Sequence, residues 1–295
     1  MKLSELGEDR LLARLLPRFK LNKTVLAGAG DDCAVLRSSR ENELILFKTD
    51  CVVEGVHFLA RDNAAAVGWK AMMRPLSDFA AMSGMPQFAL VTLISPSRTP
   101  VNKIDNFYRG LRRAAARFGV SIVGGETSST RGPIVISVSV VGFVEKNRWV
   151  SRNGGKAGDD LFVTGRLGRA TRGKHLRFVP RIEESRWLTK NFSVHAMMDL
   201  SDGLGADLPR LAKASKVGFK IDRESLPLAP GTTTGNAISD GEDYELLFTI
   251  APRDRKQLEK SWRQKFPRLL LTRIGCISQL STLNSQLSGG FVHFQ

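Results

Sequence analysis

The chain has 295 residues but only three cysteines, Cys33, Cys51 and Cys276, and no C-x-x-C pair. So sparse and odd a count excludes a disulfide framework and a cysteine-rich zinc site, and it points to a reducing compartment. Four histidines without an H-E-x-x-H segment leave no zinc-hydrolase pattern. Aromatic residues amount to 7%, and they do not cluster with basic residues as in an RNA-recognition signature. The most apolar run, residues 134–144, falls well short of the roughly 20 residues needed to span a bilayer. The first twelve residues carry Glu5, Glu8 and Asp9 and no apolar leader core, so a soluble cytoplasmic protein is expected. The common nucleotide fingerprints are missing too. Gly155-Lys156 and Gly173-Lys174 are followed by Ala157 and His175 rather than a hydroxyl residue, and Gly28-Ala29-Gly30 lacks the third glycine of a dinucleotide turn. There is no G-x-S-x-G nucleophile elbow.

Acids are also scarce: 29 Asp and Glu against 44 Lys and Arg leave a net charge of +15. Such a charge attracts nucleic acid, nucleotides, phosphorylated metabolites or anionic membrane without choosing among them, and a plain solvated basic surface is an alternative. Hydrophobic periodicity predicts helices over residues 4–16, 63–83, 102–118, 206–216 and 253–265. Pro17 should end the first, and Pro75 should kink or divide the second. Strands are predicted over 43–48, 88–94, 120–123, 134–144, 161–164, 196–198, 219–221, 245–250 and 269–274. The alternation of strands and helices gives a mixed α and β class. The polar, glycine-rich stretch after Glu145 marks a junction near residue 147, which divides the chain into units 1–146 and 147–295.

Among the few acids, many stand beside glycine at the edges of apolar segments: Asp31 and Asp32, Asp50, Asp78, Glu126, Asp199 and Asp202, Glu242 and Asp243. Surface carboxylates usually lie on helix faces opposite lysines. Acids at strand-to-loop junctions converge at one end of a sheet, where glycine lets backbone and ligand approach closely. The chemistry this suits is a hard-cation site, because magnesium prefers oxygen ligands and phosphoryl-transfer sites share carboxylates with substrate phosphates. Each acid alone could equally be a turn-forming residue.

In order and spacing, GAGDDCAVL (28–36), KTDCVVEGVHF (48–58), LSDFAAM (76–82), GGET (124–127), MDLSDGLGADL (198–208) and DGEDYELLF (240–248) resemble the motifs of the bacterial thiamine-monophosphate kinase family. That family belongs to the superfamily that includes aminoimidazole ribonucleotide synthetase and selenophosphate synthetase. The match runs from about residue 6 to 294. The resemblance implies the two-domain synthetase-like fold: an N-terminal α/β domain that dimerises through its sheet and a C-terminal α+β domain, with the active site in the cleft between them. It implies direct in-line transfer of the γ-phosphoryl group of ATP to thiamine monophosphate, with several magnesium ions and no phosphoenzyme. The homodimer comes from the same resemblance, and neither nucleic acid nor membrane is an expected partner. Carried over residue by residue, Asp32, Thr49, Asp50, Asp78, Glu126, Asp199 and Asp202 match metal-binding positions. Tyr108, Gly125, Arg152 and Ser201 match the ATP site, and His57, Glu242 and Phe291 match positions that hold the thiamine phosphate. No residue is matched as a catalytic acid, base or nucleophile. Read without the family, Arg152 could be a solvated linker arginine, His57 a half-buried histidine and Phe291 an ordinary core residue.

Five features depart from the family pattern. Glu126 replaces an aspartate, Pro75 replaces an asparagine before LSD, and Asp240 replaces a glycine. Residues 169–174 are much shorter than the family's helical segment, with Arg169 at an acidic position. Gly290-Phe291-Val292-His293-Phe294 replaces the usual G-[YW]-D-H-F. Two other readings stay open. One is a different activity of the superfamily, although no cysteine precedes Cys33 as in selenophosphate synthetases, and the chain ends in Gln295 rather than the cysteine of hydrogenase-maturation relatives. The other is a non-catalytic polyanion binder, whose affinity would fall steeply with salt.

Overall fold

A computed structural model describes residues 2–280, 287 and 289–291. The first half forms a six-stranded sheet. Its strands are β1 (Val25–Ala27), β2 (Ala34–Arg37), β3 (Glu43–Val53), β4 (Met85–Ser95), β5 (Ser121–Ser129) and β6 (Val135–Glu145), in the order β1-β2-β3-β6-β4-β5. Only β4 and β5 run parallel, joined by the crossover helix α4 (Val101–Arg117). The second half holds β7 (Asp160–Thr164), β8 (Val194–Asp199), β9 (Gly218–Ile221), β10 (Leu246–Ile250) and β11 (Leu271–Ser278), in the order β8-β10-β7-β11-β9, all antiparallel. Strands β7 and β10 are buried along their whole length, which suits their mostly apolar make-up, with Asp160, Thr164 and Thr249 the buried polar exceptions.

The helix α3 (Ala64–Ala81) is the centre of the molecule. Asn63 caps it by accepting the Ala66 amide at 3.0 Å. Fourteen of its residues are buried, because it packs against the first sheet on one side and against β8 and α5 (Ile182–Asn191) on the other. It also meets α4 backbone to backbone. A Cβ at Gly68 would lie 1.9 Å from the Phe107 carbonyl oxygen, and one at Gly110 the same distance from that of Ala65. One hydrophobic core therefore runs from Leu46, Phe79 and Val138 in the first half to Phe162, Phe248 and Trp262 in the second. A second core lies under α6 (Leu204–Ser215), on the other face of the second sheet.

Several expectations change. The helix expected over 4–16 is broken at Gly7, whose φ of +73° leaves the helical region, giving α1 (Leu3–Leu6) and α2 (Glu8–Leu15), with a 3-10 turn through Pro17. Pro75 does not divide α3. The helix continues through it, since burial on both sides outweighs the one hydrogen bond that proline cannot donate. The strand expected over 43–48 runs on to Val53, fully paired with β6, and the one expected over 269–274 is shifted to Leu271–Ser278. Strands β1 and β2, helix α5 and the short α7 (Thr234–Ser239) had no distinct periodic signal. No described helix is long and apolar enough to cross a membrane.

Candidate active site

Three segments far apart in sequence deliver carboxylates to one point. Asp32 precedes β2, Asp78 lies on the last turns of α3, and Asp199 ends β8. All three are buried, and each offers an oxygen within 4.8 Å of the others. Ser77 donates to Asp199 Oδ2 at 2.6 Å and fixes its rotamer. Asp50, on β3, joins the group from the sheet. Strand alternation puts it on the same face as Lys48, whose Nζ lies 3.0 Å from Asp78 Oδ1 and 3.9 Å from Asp50 Oδ2.

The electrostatics are those of a site short of positive charge. Burial, joined by the neighbouring Asp32 charge, pushes the Asp199 carboxyl up to about 7. Burial drives Asp78 well above the usual carboxylate range, with Asp50 and Asp199 adding to it and Lys48 opposing. Asp50 goes the other way: burial works against its charge, but Lys48 and Arg74 together hold it below the ordinary value. Asp31 is raised to about 6 by burial and by Asp32. Around the cavity of about 310 Å³ above this cluster, Glu8, Asp31, Asp50, Asp78, Asp199 and Asp202 face only Lys48, Arg74, Arg152 and Arg210. Convergent buried oxygens with a net negative balance suit a hard divalent cation.

Helix α3 extends the site in a second direction. Lys70, Arg74 and Asp78 recur every four residues and therefore form one row along the helix. Asp78 reaches the acidic cluster. Arg74 lies 3.8 Å from Asp50 and donates to the Cys51 carbonyl at 2.9 Å. It lines both the acidic cavity and an adjoining one of about 100 Å³, which also share Ser201, Asp202 and Tyr244. The smaller cavity is walled by His57, Glu242 and Phe291. The Val53 amide donates to His57 Nδ1 at 3.1 Å, so the neutral ring carries its proton on Nε2. The Phe291 amide donates to the Asp202 carbonyl at 2.8 Å, which ties the end of the described chain to the site.

The structure thus brings together Asp50, Asp78, Asp199, Asp202, Arg152 and Ser201 around one cavity, with Asp32 joining Asp78 and Asp199 in the carboxylate cluster, and His57, Glu242 and Phe291 around its neighbour. It does not bring in four of the matched residues. The Thr49 side chain lies on the opposite face of β3 from Asp50, where Ser139 donates to its hydroxyl at 2.9 Å. Glu126 is exposed on β5, its Oε1 accepting the Thr127 amide at 3.0 Å. Gly125 lies beside it, and a Cβ there would sit 1.8 Å from the Val91 carbonyl oxygen, so glycine is what lets β5 pair with β4. Tyr108 is half-buried on α4, packed against the main core. Of the departing residues, Val292, His293 and Phe294 lie outside the described residues. Arg152 is also differently engaged from a free phosphate fork. Its Nε and Nη2 hold the two oxygens of Asp32 at 3.1 and 2.5 Å.

Residues that sequence reasoning passed over are Lys48, Lys70, Arg74, Arg210, Tyr244 and the α2 pair Glu8 and Leu12. Period-two alternation could have found Lys48, and period-four spacing from Asp78 could have found Arg74 and Lys70. Arg210 holds Asp202 at 2.5 Å and Asp207 at 3.0 Å across the first turns of α6. Nothing local marked α2 as a wall of the acidic cavity.

The fold and the site define a class before they define a protein. Residues 30–144 match the family model "AIR synthase related protein, N-terminal domain", and residues 149–260 match its C-terminal counterpart. Within that class, the chain is 36% identical to the thiamine-monophosphate kinase of Rhodopirellula baltica over 97% of each chain. It is 35% identical to that of Aquifex aeolicus, over 95% of this chain and 94% of the relative. A solved structure, AaThiL complexed with AMPPCP and TMP, superposes with a TM-score of 0.84 at 32% identity over 99% of both chains. The chain belongs to the thiamine-monophosphate kinase family.

Proposed function

We propose that this protein transfers the γ-phosphoryl group of ATP to thiamine monophosphate in a magnesium-dependent reaction, giving thiamine diphosphate and ADP. The observation that carries this reading is the junction of two cavities: an acidic one lined by Asp50, Asp78 and Asp199, the last two clustered with Asp32, and a smaller one walled by His57, Glu242 and Phe291, sharing Arg74, Ser201 and Asp202. The related complex with an ATP analogue and TMP supports the same pair of substrates.

The reaction needs little covalent help from the protein. An acceptor phosphate oxygen, already anionic at neutral pH, attacks the γ-phosphorus as its bond to the β-bridging oxygen breaks, so no general base is required. What must be supplied is alignment and relief of the repulsion between two polyanions. Asp32, Asp78 and Asp199, with Asp50 and Asp202 beside them, would hold magnesium ions. Bound magnesium would offset the charge on the phosphate oxygens. Lys48 and Arg74 favour the charged form of Asp50, Lys48 and Arg152 orient Asp78 and Asp32, and Arg74 stands at the junction where acceptor and donor phosphates meet. His57 Nε2–H can donate to the acceptor, Glu242 can accept from it, and Phe291 offers an aromatic face to its ring. We assign Thr49 and Glu126 to metal binding and Tyr108 and Gly125 to ATP only on the family motif. We read residues 1–146 and 147–295 as the two domains, and the cytoplasm as the compartment, a placement supported by three unpaired cysteines.

We also read the protein as a homodimer joined through the open face of the first sheet. Phe47, Phe88, Leu90, Val123 and Val141 are all at least 38% exposed there, on neighbouring strands, and a contiguous apolar face of this kind calls for a cover. Leu90→Asp should convert a dimer to a monomer in analytical ultracentrifugation; a wild type that sediments as a monomer would remove this reading.

The kinase reading is tested by incubating the purified protein with ATP, magnesium and thiamine monophosphate. Formation of thiamine diphosphate supports it, and none, where a known kinase converts the substrate, refutes it. The assay should include other phosphorylated acceptors. Thr171, in the segment 169–174 that is shorter than in the family, walls the acceptor cavity, so acceptor choice is where this chain has most room to differ.

A further inference from the structure

Lys70 is a charged residue in an apolar position. It lies mid-helix in α3 between Trp69 and Ala71, and its side chain is wholly buried. Such burial is costly unless the ammonium is fully engaged. Its Nζ has two partners in different parts of the chain: the His57 carbonyl at 2.6 Å and Glu242 Oε1 at 2.5 Å. Both partner residues wall the proposed acceptor cavity and also its neighbour of about 400 Å³. The Glu242 backbone is itself unusual. Its φ is +66°, in the left-handed region, and its amide donates to the Ser201 carbonyl at 2.7 Å. A non-glycine residue persists there only when its surroundings hold it.

We infer that Lys70 is the positioning residue of the acceptor cavity. One ammonium, fixed on the central helix of the first half, holds the carboxylate of Glu242 from the second half and the backbone of the His57 loop at a set separation. Engaging Oε1 turns the rest of the carboxylate towards the cavity, and engaging the His57 carbonyl keeps the ring that the Val53 amide orients. Arg74, one turn further along, belongs to the phosphate junction, so Lys70 acts on the acceptor side alone. This inference rests on the proposed kinase reading.

The test is a double-mutant cycle in the full-length protein with Lys70→Met, Glu242→Gln and both together, reading KM for thiamine monophosphate and for ATP separately. Lys70→Met should raise the acceptor KM at least 10-fold and leave the ATP KM within twofold. In the Glu242→Gln background, Lys70→Met should raise the acceptor KM by clearly less than it does in the wild type, because the charged partner is gone and chiefly the His57 contact remains to be lost. Should Lys70→Met not fold, Lys70→Gln, which keeps a donor for the His57 carbonyl, takes its place in the cycle. Equal effects on both KM values, an unchanged acceptor KM, or full additivity with Glu242→Gln would each overturn the inference. Wild-type turnover is the control. Its absence would overturn the kinase reading and this inference together, whereas an active wild type with an insensitive Lys70 variant overturns only the inference.

Discussion

Replacing Asp78 with asparagine sets stability against activity, and the structure says which way each moves. Asp78 shares the acidic cluster with Asp32 and Asp199, with oxygens at most 4.8 Å apart. At an effective dielectric near 20, two full charges at that distance repel by at least about 3.5 kcal/mol, so the two neighbours together oppose its ionisation by about 7 kcal/mol. On the same scale Lys48, at 3.0 Å, returns about 5.5 kcal/mol. Burial and the repulsions therefore outweigh the single ammonium, in line with the raised carboxyl of Asp78. Because the neutral carboxyl is already favoured there, Asp78→Asn should cost the metal-free protein less than about 1 kcal/mol, or even stabilise it. With magnesium the order reverses. At 100 times its Kd, a bound ion stabilises the wild type by about 2.7 kcal/mol, and most of that gain should vanish in Asp78→Asn. Turnover at saturating magnesium should fall at least ~100-fold, about 2.7 kcal/mol of lost charge stabilisation. Thermal melts with and without magnesium, beside a turnover assay, read all three quantities. Near-normal turnover would refute the metal role. A metal-free loss of about 3–5 kcal/mol would show instead that Asp78 is half of a favourable buried ion pair.

Three other expectations follow from single contacts. Arg186 on α5 grips Glu145 at the end of β6 with two bonds of 2.9 and 2.6 Å, and this pairing with Arg186 holds the Glu145 carboxyl down at about 2. Because the folded value lies below the unfolded one near 4.5, the stabilisation is complete above pH 4.5 and lost as pH falls towards 2. Glu145→Gln should cost about 1 kcal/mol at pH 7, after allowing for solvent screening, and the gap should shrink in urea unfolding at pH 3; a gap independent of pH would disprove the linkage. Gly110→Ala must push α4 off α3, since its Cβ would meet the Ala65 carbonyl oxygen at 1.9 Å, and should cost about 1–3 kcal/mol or more; an unchanged melting temperature would contradict the helix crossing. Arg152→Met removes both bonds to Asp32 and should raise the magnesium concentration for half-maximal rate at least ~10-fold. An unaltered magnesium dependence would mean that Arg152 does not support that carboxylate.

The sequence by itself determined the inventory. Acids beside glycine at strand ends pointed to a hard-cation site, alternating strands and helices gave the mixed fold, and the ordered family motifs carried the phosphoryl-transfer reading. Local periodicity also found α3, α4, β4 and β6, because long amphipathic or apolar segments carry their own signal. Short elements failed, as with β1, β2 and α7, because three to six residues hold too little of a period to read. Proline and glycine misled in opposite directions: Pro75 sits inside an unbroken helix held by packing on both sides, while Gly7 breaks one that packing does not protect. Only the tertiary structure decided which acids meet. Asp32, Asp78 and Asp199 converge because the turn before β2, the last turns of α3 and the end of β8 meet through contacts distant in sequence, and no local pattern encodes that distance. It also decided which charges answer them, setting Lys48 and Arg152 against the cluster and Lys70 against Glu242, 172 residues away. Side-chain direction is a local property, but proximity is a property of the whole chain.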